Sequence, residues 1–347
     1  MKNENCLKYD IFLLYAEEDK NDIVIPLVEL FIKFNVNVYF KKSINYIGEN
    51  VIEDLRQSQV LVPIISHDFI KKERVFGKLS DIRNKCNTIF PILHGIAYNE
   101  IGDYSILFSK EQVVTTKYGL DIVVKDILSV YKMRLTKNIP KIIIGISGPS
   151  GAGKTWFTKK LKGIRPNSVC VFTLDSYYKD VNIVNALEYR HDNPNAIDYD
   201  KALKDLELLL NGHEFEIPIY DYDTHEVVDR KVCTPAPMIV IEGLFVFANS
   251  KLLDKMNLKI WIDADEDLRL KRRINRDVHE RGDNLAEAQK RYYLDVKPAY
   301  LKYMSFYKKY ADLIYLNNLL IKNEENLPLI EMIFSLMDIK YQPLHFD

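Results

Sequence analysis

The sequence is poor in the features that mark secreted and membrane-spanning proteins. Its 347 residues include only four cysteines, Cys6, Cys86, Cys170 and Cys233, which lie far apart and form no C-x-x-C pair. This pattern indicates neither a disulfide framework nor a zinc site. No stretch approaches the roughly 18 uncharged apolar residues of a membrane-spanning helix. The start, MKNENCLKYD, lacks the apolar run of a signal peptide, so we expect a cytoplasmic protein with reduced thiols.

A large net charge is also lacking. Lys and Arg number 48 against 49 Asp and Glu, which gives a net charge of −1. This balance argues against general binding of nucleic acid or of an anionic membrane, so neither is expected as a partner. Hydrophobic residues make up 47% and charged residues 28% of the chain, as in ordinary globular proteins. The length predicts two domains, each able to bury a core.

The domain boundary is predicted near residue 138. A helix-like stretch, GLDIVVKDILSVYKM, ends before polar residues and Pro140, and the apolar run KIIIGIS follows. Proline opposes continuation of a helix, so we divide the chain into residues 1–138 and 139–347. In the first domain, strands are predicted at 9–16, 35–40, 59–66 and 87–96, with helices at 23–34 and 47–58.

The second domain repeats this alternation. Its apolar runs are KIIIGIS, SVCVFTLD, PMIVIEGLF and KIWIDAD. Near-continuous apolar runs are typical of parallel strands that are covered on both faces. Strands separated by helical patterns therefore predict two α/β domains, each a doubly wound parallel sheet.

The strongest local motif fits G-x-x-x-x-G-K-[ST], a phosphate-binding loop between a predicted strand and a predicted helix. In such a loop, backbone N–H groups and the helix N-terminus face phosphate oxygens. The lysine would neutralise the β- and γ-phosphates, and the threonine hydroxyl would ligate Mg²⁺. The motif therefore predicts an enzyme that uses ATP or GTP. Its candidate nucleotide-binding residues are Gly148, Ser150, Gly151, Ala152, Gly153, Lys154 and Thr155.

Two acidic residues follow predicted strands of the second domain. Asp175 comes after SVCVFTL and could accept a proton from an attacking hydroxyl, or could instead cap a helix N-terminus. Glu242 ends the apolar run PMIVIE and could bind Mg²⁺, or could instead form a structural ion pair. Ligands in open α/β sheets bind outside the carboxyl ends of strands, which is where both carboxylates are expected.

Four arginines share one predicted helical face in DLRLKRRINRDVHERGD. Arg269, Arg272, Arg273 and Arg276 follow i, i+3, i+4, i+7 spacing, and Arg281 comes next. Together with a phosphate-binding loop, they predict a lid that offsets charge during phosphoryl transfer. The alternative is a solvated face paired with neighbouring carboxylates.

From about residue 140 to 318 the chain resembles uridine kinase, a branch of the phosphoribulokinase-like P-loop kinases. The resemblance is carried by GISGPSGAGKT, LDSYYKD, DNPNAIDYD, PIYDYDTH, VIEGLF, RRINRDVHERG and KKYADLI, in the order of the family. It implies ATP-dependent phosphorylation of a nucleoside 5′-hydroxyl, with Mg²⁺. It also implies catalytic roles for Asp175, Lys154 and Arg276, nucleoside or phosphate contacts for Tyr178, Asp192, Tyr220, His225, Arg273 and Arg281, and a metal site at Thr155 and Glu242.

Three positions depart from the pattern of the family. Asp283 stands where an arginine is usual, Arg291 stands where a glutamine is expected, and Val227 replaces an arginine after His225. All three are expected near the acceptor pocket. The phosphoryl-transfer residues match, so the departures bear on which acceptor fits.

Residues 8–134 resemble a TIR domain, which implies a flavodoxin-like fold. The resemblance rests on KYDIFLLYAEEDK, INYIGENVIEDLRQSQVLVPIISHDFI and TIFPILHGI. NAD-cleaving TIR domains carry a glutamate at a position that is Lys78 here, and Arg74 stands at their tryptophan position. The hypothesis is a non-catalytic module for self-association or partner binding; the alternative is an NAD-cleaving site hidden by misalignment.

The leading hypothesis is a uridine or cytidine kinase fused to a TIR-like module. The alternative is a TIR signalling or defence protein whose kinase-like half senses nucleotide. Both resemblances imply a homo-oligomer. A helix is predicted in LPLIEMIFSLMDI, with packing against the kinase core as its expected role.

Overall fold

The computed structural model of the chain describes residues 9–40, 55, 58–72, 88–108, 112–136, 141–179, 193–221, 226–279, 282–318 and 327–340. The chain divides into two compact units. The first comprises residues 1–136, 162–168 and 341–347, and the second comprises residues 137–161 and 169–340. The predicted boundary at 138 stays a prediction, since residues 137–140 lie outside the described ranges.

The first unit contains a five-stranded parallel sheet. The strands are β1 (Tyr9–Leu14), β2 (Val38–Tyr39), β3 (Ser58–Ile65), β4 (Ile92–Leu93) and β5 (Val114–Thr115). Their order is β2-β1-β3-β4-β5, which is the order of flavodoxin-like doubly wound sheets. The helices are α1 (Ile25–Lys33), α2 (His67–Ile70) and α3 (Leu120–Thr136), with a π turn at Lys20–Val24 and 3₁₀ turns at Glu17–Asp19, Tyr98–Glu100, Gly102–Ile106 and Thr116–Tyr118.

The side chains of β1 point alternately to the two faces of the sheet and contribute to an apolar core on each face. Ile11 and Leu13 pack into one apolar core, which holds residues of α1 and α3. Phe12 and Leu14 pack into a second core on the opposite face. Successive side chains of a strand point to opposite faces, so an unbroken apolar run supplies both cores.

The second unit contains another five-stranded parallel sheet and an antiparallel hairpin. The sheet consists of β6 (Ile142–Ser147), β7 (Val169–Thr173), β10 (Met238–Glu242), β11 (Leu258–Asp263) and β12 (Leu313–Leu316), in the order β12-β11-β6-β10-β7. The central strands β6 and β10 are buried along their whole length. The hairpin pairs β8 (Phe215–Asp221) with β9 (Glu226–Cys233).

The helices of the second unit follow its strands. They are α4 (Lys154–Ile164), α5 (Tyr199–Leu210), α6 (Ser250–Leu253), α7 (Glu266–His279), α8 (Leu285–Arg291), α9 (Lys297–Ala299) and α10 (Leu327–Lys340). Short turns at Leu174–Tyr177, Pro194–Ala196 and Ser305–Tyr310 are 3₁₀, and those at Tyr292–Val296 and Tyr300–Met304 are π. None of the described helices is both long and apolar enough to cross a membrane.

The predicted α/β class with parallel sheets is confirmed, and each predicted strand overlaps an observed one. The predicted helix at 47–58 lies outside the described residues except for Leu55 and Ser58. The C-terminal helix forms as predicted and buries Ile330, Ile333 and Met337. Among the described strands, β5, β12 and the hairpin β8–β9 were not predicted from the sequence patterns.

Candidate active site

The phosphate-binding loop connects the central strand β6 to α4. Gly151 and Gly153 have φ values of 79° and 100°, a conformation that side-chain-bearing residues rarely adopt. A Cβ atom at Gly151 would also collide with the carbonyl oxygen of Arg269, and one at Gly153 with the side-chain amide nitrogen of Asn317. The loop is therefore both left-handed and tightly enclosed, which makes glycine necessary at these two positions.

The Lys154 side chain lies folded under this loop. Its Nζ donates hydrogen bonds to the carbonyl oxygens of Gly148 (2.9 Å) and Pro149 (3.2 Å). Burial lowers the pKa of Lys154, while the nearby carboxylates of Asp175 and Glu242 oppose that shift. The ammonium thus lies within electrostatic range of both acidic residues that the sequence predicts for the site.

The Asp175 carboxylate is held by the end of the neighbouring strand. Asp175 lies inside the 3₁₀ turn after β7, and the N-cap of that turn is Thr173, so the alternative role of Asp175 as a helix cap is wrong. The Leu244 N–H, just beyond β10, donates to Asp175 Oδ1 at 3.2 Å. Because β7 and β10 are adjacent parallel strands, their carboxyl ends bring Asp175 and Glu242 to the same edge of the sheet.

Glu242 and Thr155 face each other across this edge. The Thr155 hydroxyl donates to the Glu242 carboxylate at 3.3 and 3.4 Å. Burial, and next the charge of Asp175, raises the pKa of Glu242 to about 7. A carboxylate and a hydroxyl are hard oxygen ligands of the kind that Mg²⁺ prefers, and Mg²⁺ in nucleotide sites takes few protein ligands. The pair therefore fits the predicted metal site, and an ion pair is not needed to explain the position of Glu242.

We expect Glu242 to make the nucleotide-free protein less stable as pH rises from about 5 to about 8. Its pKa in the folded protein is about 7, against an ordinary value of 4.5. Between these values the folded state holds a proton that the unfolded state has released, so the stabilisation is complete below 4.5 and is lost as pH rises through 7. Urea unfolding of wild type and Glu242→Gln should show that the free energy of unfolding falls by a few kcal/mol more in the wild type. The same pH dependence in both proteins would contradict this expectation.

The arginines of α7 divide into two pairs. Arg269 and Arg272 donate hydrogen bonds to backbone carbonyl oxygens. Arg269 Nε donates to the Ala264 carbonyl at 2.8 Å, and Arg272 Nη1 donates to the Asn317 carbonyl at 3.0 Å. Arg269 also lies over the Tyr300 ring, 4.8 Å from its centroid. These contacts are structural. The prediction that all four arginines belong to a phosphate-facing lid is therefore wrong for Arg269 and Arg272.

The second pair lies beside the loop. Arg273 Nη1 donates to the Ser150 hydroxyl at 2.7 Å, and its Nε donates to Asp277 at 3.1 Å. Arg276 contacts the other oxygen of Asp277 at 3.3 Å. Asp277 is completely buried, and it fixes both guanidiniums within electrostatic range of Lys154.

Asp283 and Arg291, two of the residues that depart from the pattern of the uridine kinases, form an ion pair with each other. Arg291 donates two hydrogen bonds to the Asp283 carboxylate, at 2.8 and 3.1 Å. The Asp283 N–H in turn donates to the carbonyl oxygen of Asp277 at 3.0 Å. The pair therefore ties α8 to the end of α7, where Asp277 holds Arg273 and Arg276.

The structure describes only part of the predicted acceptor site. Tyr178 is buried and its backbone bridges to Ile197. The backbone of Tyr220 pairs with Val227 in the hairpin, but the side chains of these two residues lie outside the described parts of the chain. Asp192, His225, Arg281, and also Arg74 and Lys78 of the first unit, lie wholly outside the described residues. Their roles stay predictions.

Asn317 is a site residue that the sequence patterns missed. Its side-chain amide donates to the Ala152 carbonyl at 2.8 Å, so it supports the loop directly. The only available signal was its position after the apolar run ADLIYL, since residues that follow parallel strands gather at one edge of the sheet.

Comparison with known proteins gives a match over this unit. The model of the family described as "PRK: Phosphoribulokinase / Uridine kinase family" matches residues 143–318. Uridine kinases from Staphylococcus haemolyticus (strain JCSC1435) and Macrococcus caseolyticus (strain JCSC5402) are 40% and 39% identical over 177 residues, which cover 50% of this chain and 86% of each relative. A solved structure, a "Possible Uridine Kinase" from Bacillus stearothermophilus, is 19% identical with a TM-score of 0.32, over 56% of this chain and 99% of that one.

Proposed function

The chain belongs to the phosphoribulokinase/uridine kinase family, and we propose that its P-loop kinase domain transfers the γ-phosphoryl group of ATP to the 5′-hydroxyl of uridine or cytidine. GTP is the alternative donor. The observation that carries the proposal is the convergence of Asp175, Lys154 and the Thr155–Glu242 pair at one sheet edge, beside the phosphate-binding loop. A base, a phosphate-binding cation and oxygen ligands for Mg²⁺ are the components that phosphoryl transfer needs.

In the proposed reaction, each of these residues has one task. Asp175, oriented by the Leu244 N–H, accepts the proton of the attacking hydroxyl. Lys154 exchanges its contacts with loop carbonyls for contacts with the β- and γ-phosphates, and Arg273 and Arg276 offset the charge that develops during transfer. Thr155 and Glu242 would hold Mg²⁺, which neutralises charge on the phosphate oxygens.

A nucleoside panel tests the proposal. The full-length protein is incubated with Mg²⁺ and ATP against uridine, cytidine, adenosine, guanosine and their 2′-deoxy forms, and 5′-monophosphates are quantified by mass spectrometry. Rapid phosphorylation of uridine or cytidine is expected. Silence across the panel, with ATP bound in calorimetry, would contradict it and favour the nucleotide-sensor alternative.

We expect Asp283 and Arg291 to act as one unit in acceptor use. Removing either charge leaves the other uncompensated at the junction of α7 and α8. Asp283→Asn and Arg291→Gln should therefore each lower kcat/KM for the nucleoside by about threefold to tenfold, and the double variant should lose much less than the product of the two. Steady-state kinetics with nucleoside and with ATP varied separately measures this coupling. Multiplicative losses would show that the two residues act independently.

We propose for residues 1–138 a TIR-like module that mediates self-association or binds a protein partner. The parallel order β2-β1-β3-β4-β5 supports a flavodoxin-like fold, and Lys78 cannot supply the carboxylate that NAD-cleaving TIR domains use. Light scattering of the full-length protein should then give a homo-oligomer, and NAD should remain intact. NAD cleavage would overturn the non-catalytic assignment. If the Glu73→Gln variant still cleaved NAD, Glu73 would also be excluded as the catalyst.

A further inference from the structure

Two cysteines that are far apart in sequence meet in the core of the second unit. Cys170 lies in β7 and Cys233 is the last residue of β9. Their Sγ atoms are 3.1 Å apart, although 63 positions separate them along the chain. Both side chains are buried, and neither cysteine is in a disulfide. The spacing of cysteines gave no reason to expect this pair.

The fold brings them together because of where the hairpin packs. β7 is one of the two edge strands of the sheet, next to β10, and β9 contacts it. Cys170 and Cys233 belong to one apolar cluster with Tyr177, Ile217 and Ala236. Closing the sulfur separation by about 1 Å gives the ~2.05 Å bond of a disulfide. Little movement is therefore needed to link the strands.

A cation lies near one of the two thiols. The Lys141 ammonium donates hydrogen bonds to the carbonyl oxygens of Leu209 and Leu210. Burial lowers the pKa of Lys141, and the charge of the Cys170 thiolate acts in the opposite direction. A nearby cation favours the thiolate, which is the form that reacts with oxidants, whereas burial in apolar surroundings opposes it. Lys141 offsets part of that opposition at Cys170, so we take Cys170 as the thiol that reacts first.

We propose that Cys170 and Cys233 are a redox modification site, at which hydrogen peroxide forms a reversible intramolecular disulfide. The Cys170 thiolate attacks one peroxide oxygen, breaking the O–O bond, and becomes a sulfenic acid while the other oxygen leaves as water after protonation. The Cys233 sulfur then attacks the sulfenic sulfur and displaces its hydroxyl as a second water. Two thiols lose two electrons and two protons, and one peroxide is reduced to two waters.

The disulfide would tether the base of the hairpin to the edge of the sheet. β7 leads directly into the turn that carries Asp175, and the hairpin carries Tyr220 near its tip. Oxidation should therefore stabilise the unit, because it constrains the unfolded chain, and should restrict motion of the hairpin against β7. A change in nucleoside affinity rests on the proposed function, whereas formation of the disulfide does not.

Peptide mapping tests the chemistry without any assay of activity. The protein with Cys6→Ser and Cys86→Ser retains only the pair. After treatment with hydrogen peroxide and blocking of remaining thiols, tryptic digestion should yield peptide 163–179 linked to peptide 232–251, and dithiothreitol should separate them. The thermal midpoint of the oxidised protein should rise by several degrees, and reduction should restore the original midpoint.

Two comparisons decide the outcome. In a glutathione redox buffer, the effective concentration of the two thiols should be at least tenfold higher in the native protein than in urea, because the fold holds the thiols together. Cys170→Ser or Cys233→Ser should abolish both the linkage and the rise in midpoint. Equal effective concentrations in the native protein and in urea, or conversion of the thiols to sulfinic acids without linkage, would overturn the proposal. Kinetics of the oxidised protein, with KM for nucleoside and for ATP measured separately, then address the hairpin. An inactive protein that still forms the link would count against the proposed kinase reaction alone.

Discussion

Replacing Asp175 with asparagine is expected to lower turnover of nucleoside phosphorylation by about 100- to 10,000-fold, because an amide cannot accept the proton of the attacking hydroxyl. The substitution preserves size, and an asparagine oxygen can still accept the hydrogen bond from the Leu244 N–H that orients the side chain. ATP binding, measured by calorimetry, should change little. The loss should therefore appear in kcat rather than in the KM for ATP.

Asp200→Asn is the matched control for this variant. Asp200 is exposed in the first turn of α5, so the same chemical change there should leave turnover unaltered. Thermal unfolding of both variants should match the wild type and exclude a folding defect as the cause. Turnover by Asp175→Asn within a few-fold of wild type would remove Asp175 from the role of base.

Replacing Lys154 with methionine is expected to lower kcat/KM for ATP by about 100- to 1,000-fold, because a fixed cation that stabilises the transferred phosphoryl group is lost. The ammonium contacts loop carbonyls and lies within electrostatic range of the carboxylates and the guanidiniums of the site. Methionine keeps most of the length and apolar volume of the lysine stem. The effect therefore reports the charge rather than the packing.

Lys271→Met provides the matched control, since Lys271 is exposed on α7. It should retain activity close to wild type. Trp156, two residues after Lys154, offers a fluorescence signal for nucleotide binding in all three proteins. An active Lys154→Met variant, with unchanged nucleotide affinity, would show that the arginines alone neutralise the phosphates.

The sequence predicted the parts of the site that depend on local spacing. The glycines, the lysine and the threonine of the phosphate-binding loop lie within one short segment, so a local motif was enough to identify them. As predicted, the loop follows a buried strand and leads into a helix. Asp175 and Glu242 each come at or just after the end of an apolar run, and parallel strands bring such positions to one edge. The apolar runs therefore sufficed to place both carboxylates at the carboxyl edge of the sheet, whereas their proximity depends on the pairing of β7 with β10.

Contacts between distant segments could not be predicted in this way. The helical spacing predicted the same role for Arg269, Arg272, Arg273 and Arg276. In the structure, the first two donate hydrogen bonds to backbone carbonyls, and only the last two lie within electrostatic range of Lys154. The helical repeat determines which side chains lie on the same face of a helix. What that face meets depends on the packing of other segments against it.

By itself, the sequence determined the α/β class, the phosphate-binding loop and the membership of the kinase family, because contiguous residues carry each of these. Only the tertiary structure decided that Asp283 and Arg291 neutralise each other, that Asn317 supports the loop, and that Cys170 meets Cys233. Each of these contacts depends on how strands and helices pack. Side chains that are remote along the chain become neighbours only when burial of the apolar faces fixes the register between elements.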